Sequence, residues 1–313
     1  MRSQAHRLQQ LVRAAGLCML LCTPLAAWSQ SMEFSFGVIG HVVQSPGDDS
    51  ALEQAIAASD ADNLAFVVAN GFKRGDEACT DQLYQRRLDL LNAAKNGLVL
   101  TLADADWAGC KNAGHLNSAE RLSRVRELFF VDDFSFGASK IPLMRQSNIP
   151  KFRSYVENAR WEIGNVLFAS VNLPANNNHY RAEAGRNSEF EDRLIANRDW
   201  LRRSFMIATR KKMAAITLFC DGNPLQKFNP RNAVDASGRR DGFAETRQQI
   251  IALAGKFPGK VLIVHNRADT HGGYAGIVWH GNLGDLDVGP DWVKLSVRPG
   301  STENITAAKG NNE

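Results

Sequence analysis

Along the chain, short runs that are apolar at almost every position alternate with longer stretches in which apolar residues recur every three or four positions. The first kind comprises FSFGVIG from 34, LAFVVA from 64, GLVLTLA from 97, NVLFASVNL from 165, AAITLFC from 214 and KVLIVH from 260. Unbroken apolar character over so few residues predicts strands covered on both faces. The second kind, residues 50–59, 80–95, 118–130, 188–212 and 243–256, predicts amphipathic helices, and Ser188 followed by Glu191 reads as a capping box for the fourth of them. Strands and helices in alternation imply an α/β domain with an at least partly parallel sheet. The end of the chain departs from that rhythm. IVWH from 277 and WVKLSVRP from 292 have no long helix between them and read as hairpin strands, and residues 300–313 read as a polar, disordered tail. No repeat or linker divides residues 30–299, which read as one domain.

Composition adds a compartment. Arg2, Arg7 and Arg13 lead into AAGLCMLLCTPLAAW, followed by small and polar residues, the pattern of a secretory signal peptide spanning residues 1–29. The apolar segment is short for a membrane span, so export to the periplasm or the medium is favoured over an uncleaved anchor, and no stable membrane anchor is expected. Removing residues 1–29 discards three arginines and no acids, so the net charge falls from +4 to +1, 34 basic against 33 acidic residues. That balance gives no sign of a nucleic-acid or membrane-surface partner. Three cysteines remain, Cys79, Cys110 and Cys220. Cys79 and Cys110 follow strand-like runs by similar distances and are expected to pair in an oxidising compartment, with Cys220 a buried thiol.

In an α/β sheet, polar residues just past the carboxyl ends of the strands converge on one crevice, the usual ligand site. Here those residues are Gly40 and His41; Asn70, Gly71, Lys73 and Arg74; Asp104 and Asp106; Asn176, Asn177, Asn178 and His179; Asp221; and His265, Asp269 and His271. Each has an ordinary reading. Asn and Gly form turns, the loop lysine and arginine are solvated, and solitary histidines such as His115, His179 and His280 are more often structural. His265 and His271 are harder to dismiss, since a buried strand delivers them to the crevice together. Asn70, Asp104, Asn177 and Asp221 are the further crevice candidates.

From FGVIG at 36 through LVLTLADADWAGC, VLFASVNLPANNN, ANRDWLRRSF, FCDGNPL, VLIVH and DWVKLSV, the chain resembles the calcineurin-like metallophosphoesterases, in an exported bacterial branch. The resemblance implies a four-layer α/β/β/α sandwich of the metallo-dependent phosphatase type. It also implies a pair of divalent metals bridging a hydroxide that attacks phosphorus. The motifs that would hold that pair are degenerate. His41 stands where the first aspartate belongs, Gly71 where the bridging aspartate belongs, and Ala103, Asp104, Ala105 and Asp106 replace the asparagine and catalytic histidine. His265 matches the penultimate ligand, and His271 matches the last only across a two-residue insertion. Hard divalent ions need about four to six donors, and glycine and alanine supply none.

The expectation is therefore a superfamily member whose dinuclear site is lost, with no cofactor, its crevice open to a small phosphorylated ligand. The alternative is a phosphoric ester hydrolase with one rebuilt site for zinc, manganese or iron, held by His41, Asp106, His265 and His271. A Ser/His/Asp hydrolase is the least favoured reading. No GxSxG turn occurs, and Cys220 beside Asp221 is a weak nucleophile candidate. A dinucleotide-binding domain is excluded because GHVVQSPG, not a glycine-rich phosphate loop, follows the first strand.

Overall fold

The computed structural model describes residues 33–43, 45–108, 110, 118–181, 187–226, 240–266, 276–298 and 305–310. In chain order the elements are β1 (Phe34–Ile39), α1 (Ser50–Asp60), β2 (Val67–Asn70), α2 (Asp81–Ala93), β3 (Leu98–Thr101), α3 (Asp104–Trp107), α4 (Ser118–Phe129), β4 (Met144–Arg145), β5 (Ala159–Ile163) and β6 (Val166–Ser170). They continue with the short turn α5 (Ala175–Asn178), α6 (Ser188–Arg210), β7 (Ala215–Phe219), α7 (Ala244–Ala254), β8 (Lys260–His265), β9 (Val278–His280), β10 (Leu283–Asp287), β11 (Trp292–Val297) and β12 (Ile305–Lys309). The protein is α/β with two mixed sheets. One runs β12-β11-β1-β2-β3 and the other β4-β5-β6-β7-β8-β10-β9.

The continuous apolar runs are explained by strict alternation with both faces buried. On β6, Val166 and Phe168 face a core shared with the first sheet, while Leu167 and Ala169 face α6 and α7. On β8, Leu262 and Val264 belong to the shared core and Val261 and Ile263 to the helix side. On β2, Val68 faces the shared core and Val67 and Ala69 pack with residues of α1, α2 and α4. The shared core is aromatic. Phe168 meets the rings of Phe34, Phe36, Phe66, Trp161 and Phe219 at centroid separations of 4.8–6.3 Å.

Cys79 and Cys110 are joined in a disulfide, with their Cα atoms 5.3 Å apart, and Cys220 is a buried free thiol. Thr80 caps α2 by accepting from the Leu83 amide at 3.2 Å. The Ser188–Glu191 box does not cap α6; Asn187 occupies the cap position, and its carboxamide oxygen instead accepts from the Arg181 amide at 2.9 Å.

At the carboxyl-terminal end, Val278–His280 and Trp292–Val297 each lie in an antiparallel pair with the strand that follows, as expected of hairpin strands. β9 pairs with β10, a strand of sequence LGDLD whose glycine and aspartates hide it from a pattern search, while β11 crosses to the first sheet and lies antiparallel to β1. The expectation of a disordered tail is corrected for its described part. Ile305–Lys309 pairs antiparallel with β11 over five residues, because Ile305 is apolar and reaches the shared core at 2% exposure. The signal-peptide segment, His115, Asp269 and His271 lie outside the described residues. No helix among the described residues is long and apolar enough to cross a membrane.

Candidate functional site

β1, β2 and β3 are parallel in one sheet and β6, β7 and β8 in the other, so each sheet delivers a row of strand ends. The two rows meet around Asp221, which follows β7 and is fully buried. One Asp221 oxygen, Oδ2, accepts from the backbone amides of Asp104 and Ala175, both at 2.7 Å. The other, Oδ1, lies 3.0 Å from His41 Nε2. The Asp221 carbonyl accepts from the Asn266 amide at 2.9 Å, and the neighbouring Cys220 carbonyl accepts from Asn70 Nδ2 at 2.8 Å. One aspartate thus ties the ends of β1, β3, β6, β7 and β8 together. Burial opposes the charged form of His41, but Asp221 outweighs it, with Asp106 and Asp104 adding to the effect, and the His41 pKa is raised above its ordinary value.

Asp106, one of the candidate ligands, is fully buried. Its Oδ1 accepts from the amides of Phe72 and Lys73 at 3.0 and 3.2 Å, and Oδ2 accepts from the Ala103 amide at 2.8 Å. The carboxylate therefore fixes the β2 and β3 loops against each other. Burial pushes its pKa up to about 6, against the opposing pull of those amides and of Lys73. Lys73 is itself buried and donates from Nζ to the carbonyls of Ala105 and Arg74, so it does not lie out in solvent as a loop lysine would. Burial lowers its pKa.

Gly71 has φ +77°, and a Cβ built there would lie 2.8 Å from the Ala103 Cβ and 3.4 Å from His41. That is closer than side-chain carbons approach, so the position that the resemblance assigns to a bridging carboxylate is filled by its neighbours. His265 is buried, and its Nε2 is bonded to Asp285 Oδ1 on β10 at 2.5 Å. Among the described residues, no three His, Cys, Asp or Glu side chains are grouped so as to hold a metal ion. No family model matches the chain, and no curated protein matches it.

The remaining candidates divide. Asn70 and Asp104 belong to the crevice, whereas Asn177 closes a neighbouring loop, accepting from the Gly242 amide at 2.8 Å and donating to the Arg240 carbonyl at 2.9 Å. Asn70 Oδ1 and both polar side-chain atoms of Asn266 are buried with no hydrogen-bond partner among the described residues, so the crevice keeps capacity for a polar ligand. Cys220 is fully buried, and desolvation holds its thiol far above the ordinary range, which removes it as a nucleophile.

Sequence reasoning left His179 among the structural histidines and missed Ser118 and Asp285. His179 Nδ1 lies 3.5 Å from Asp104 Oδ1, and its Nε2 lies 3.3 Å from Ser118 Oγ. The signal for Asp285 was absent because β10 itself was not legible. The signal for His179 was present in PANNNHY. Asn176, Asn177, Asn178 and His179 are all left-handed, with φ of 53–56°, and asparagine is the non-glycine residue that adopts this conformation most readily.

Proposed function

We propose that this chain is an exported protein of the calcineurin-like metallophosphoesterase superfamily. In this reading its fold is the four-layer α/β/β/α sandwich, its two-metal centre is lost, and its crevice binds a small phosphorylated ligand. The layer arrangement is supported by the three cores, one between the sheets and one beneath the helices on each outer side. Loss of the dinuclear centre rests chiefly on Gly71. A bridging carboxylate cannot be introduced where a Cβ already meets Ala103 at 2.8 Å, and Ala105 has no donor to offer. The residues present do not fit a pair of divalent ions. Binding is supported by the unpartnered carboxamide atoms of Asn70 and Asn266.

The test is metal analysis of the purified mature protein together with an aryl phosphate assay. Less than 0.1 equivalent of manganese, iron or zinc and no hydrolysis above buffer are expected. Two equivalents of metal with turnover would overturn the reading. A second reading keeps one ion, held by His41, Asp106, His265 and His271. Replacing His265 and His271 together then reduces both metal content and hydrolysis; unchanged values in the double variant exclude it.

A further inference from the structure

We propose that Ser118, His179 and Asp104 form a metal-independent acyl-transfer triad that cleaves carboxylic esters, on the rim of the same crevice. The inference stands apart from the superfamily assignment and rests on three side chains from three separate segments. Ser118 Oγ is 3.3 Å from His179 Nε2, and the other ring nitrogen, Nδ1, is 3.5 Å from Asp104 Oδ1. A nucleophile on one imidazole nitrogen and an orienting carboxylate on the other is the arrangement that activates a serine hydroxyl. Separations slightly beyond hydrogen-bond length are usual before substrate binds.

Burial is graded in the direction the chemistry needs. Ser118 is partly exposed, His179 is 7% exposed, and Asp104 Oδ1 is buried with no hydrogen-bond partner among the described residues, its polar neighbour being the imidazole. The serine residue therefore keeps some contact with solvent while the base and its carboxylate stay shielded. Ser118 is also the first residue of the twelve-residue α4, so it lies at the positive end of that helix.

His179 is held in position at some cost. Four successive left-handed residues carry it, a conformation less favourable than the right-handed one for any residue with a Cβ, with asparagine the most tolerant. The fully buried Arg193 on α6 holds the turn, donating to Asn178 Oδ1 at 2.5 Å and to the Asn178 carbonyl at 2.9 Å. Trp107 packs edge-on against the imidazole with ring centroids 4.6 Å apart, restricting its rotation. Strain maintained by buried partners is a common property of functional turns.

In the reaction, Ser118 Oγ bonds to the ester carbonyl carbon as His179 Nε2 takes the hydroxyl proton. The tetrahedral adduct expels the alcohol, which receives that proton, and leaves acyl-Ser118. Water then attacks the acyl carbon, giving a proton to His179, and the carboxylic acid departs as Ser118 Oγ is reprotonated. Asp104 is a positioning residue that keeps the imidazole in the tautomer with Nε2 free to accept.

The experiment treats the mature protein with a fluorophosphonate in EDTA, where Oγ–P bond formation expels fluoride, and locates the adduct by mass spectrometry. One adduct per chain on Ser118 is expected, with no adduct in Ser118→Ala and labelling slowed at least 100-fold in His179→Gln. Asp104→Asn slows labelling, and lowers kcat for an aryl acetate without changing KM, in a protein whose melting midpoint is retained. Absence of an adduct on Ser118 in the unaltered protein overturns the proposal without recourse to any variant. Labelling at an unchanged rate in folded His179→Gln overturns it as well.

Discussion

Phe168 and Asp221 belong to neighbouring strands of the second sheet, one on β6 and the other just past β7, and both are fully buried. Phe168 touches five other aromatic rings. Asp221 meets two backbone amides and one imidazole, and each of those contacts is specific in distance and direction. The space between the sheets is therefore held by area, which many apolar combinations supply. The crevice is held by one-to-one pairing, in which a lost partner leaves a buried polar group unsatisfied.

That contrast can be broken at either end. Truncating Phe168 to alanine opens the centre of the aromatic core and is expected to cost about 4 kcal/mol in denaturant unfolding. A loss below about 1 kcal/mol would show that the two sheets do not depend on each other for stability. Asp221→Ala strands the amides of Asp104 and Ala175 and takes the counter-charge from His41, an expected loss of about 3 kcal/mol. Asp221→Asn retains an acceptor and should lose less; equal losses in the two variants would mean that Asp221 acts through its volume and not its oxygens.

The smallest effect is in pH dependence. Asp106 has its folded pKa raised to about 6 from the ordinary 3.8, so between about pH 4 and pH 6 the unfolded chain releases this proton while the folded chain keeps it. Its contribution to stability is therefore full below pH 4, declines as pH rises through 6, and is level above that. The difference in stability between Asp106→Asn and the unaltered protein, followed by unfolding across this range, should shift in favour of the variant as pH rises. A difference that is flat, or of opposite sign, would show that the three amides dominate the burial of the carboxylate.

The area-driven region was legible in the sequence. Six apolar runs and five amphipathic segments predicted the main strands and helices because a two-residue or 3.6-residue period is visible wherever burial is continuous. β10 and β12 escaped since LGDLD and ITAAK mix glycine, alanine and charge, and their strand character comes from partners distant in sequence. The pairing-driven region was legible only as a set of candidates. Position after a strand singled out His41, Asn70, Asp104 and Asp221, which do come together around the crevice, but no periodicity distinguishes an aspartate that caps a loop, as Asp106 does, from one that serves a ligand. Ser118 was read as a helix start, and only the folded chain brings it to His179 across 61 positions.

The last described strand also bears on how this protein behaves in concentrated solution. β12 covers the outer hydrogen-bonding row of β11 from Val293 to Val297, and it ends in Lys309, whose charge pairs with Asp291. A chain shortened before Ile305 would leave that row of amides and carbonyls bare, with a gap where Ile305 had been. Bare rows of this kind recruit the same row on another molecule. Trimming what reads as a dispensable tail would thus be felt first as self-association and poor solubility, while Asp104, beyond β3 at the other edge of the same sheet, kept its place.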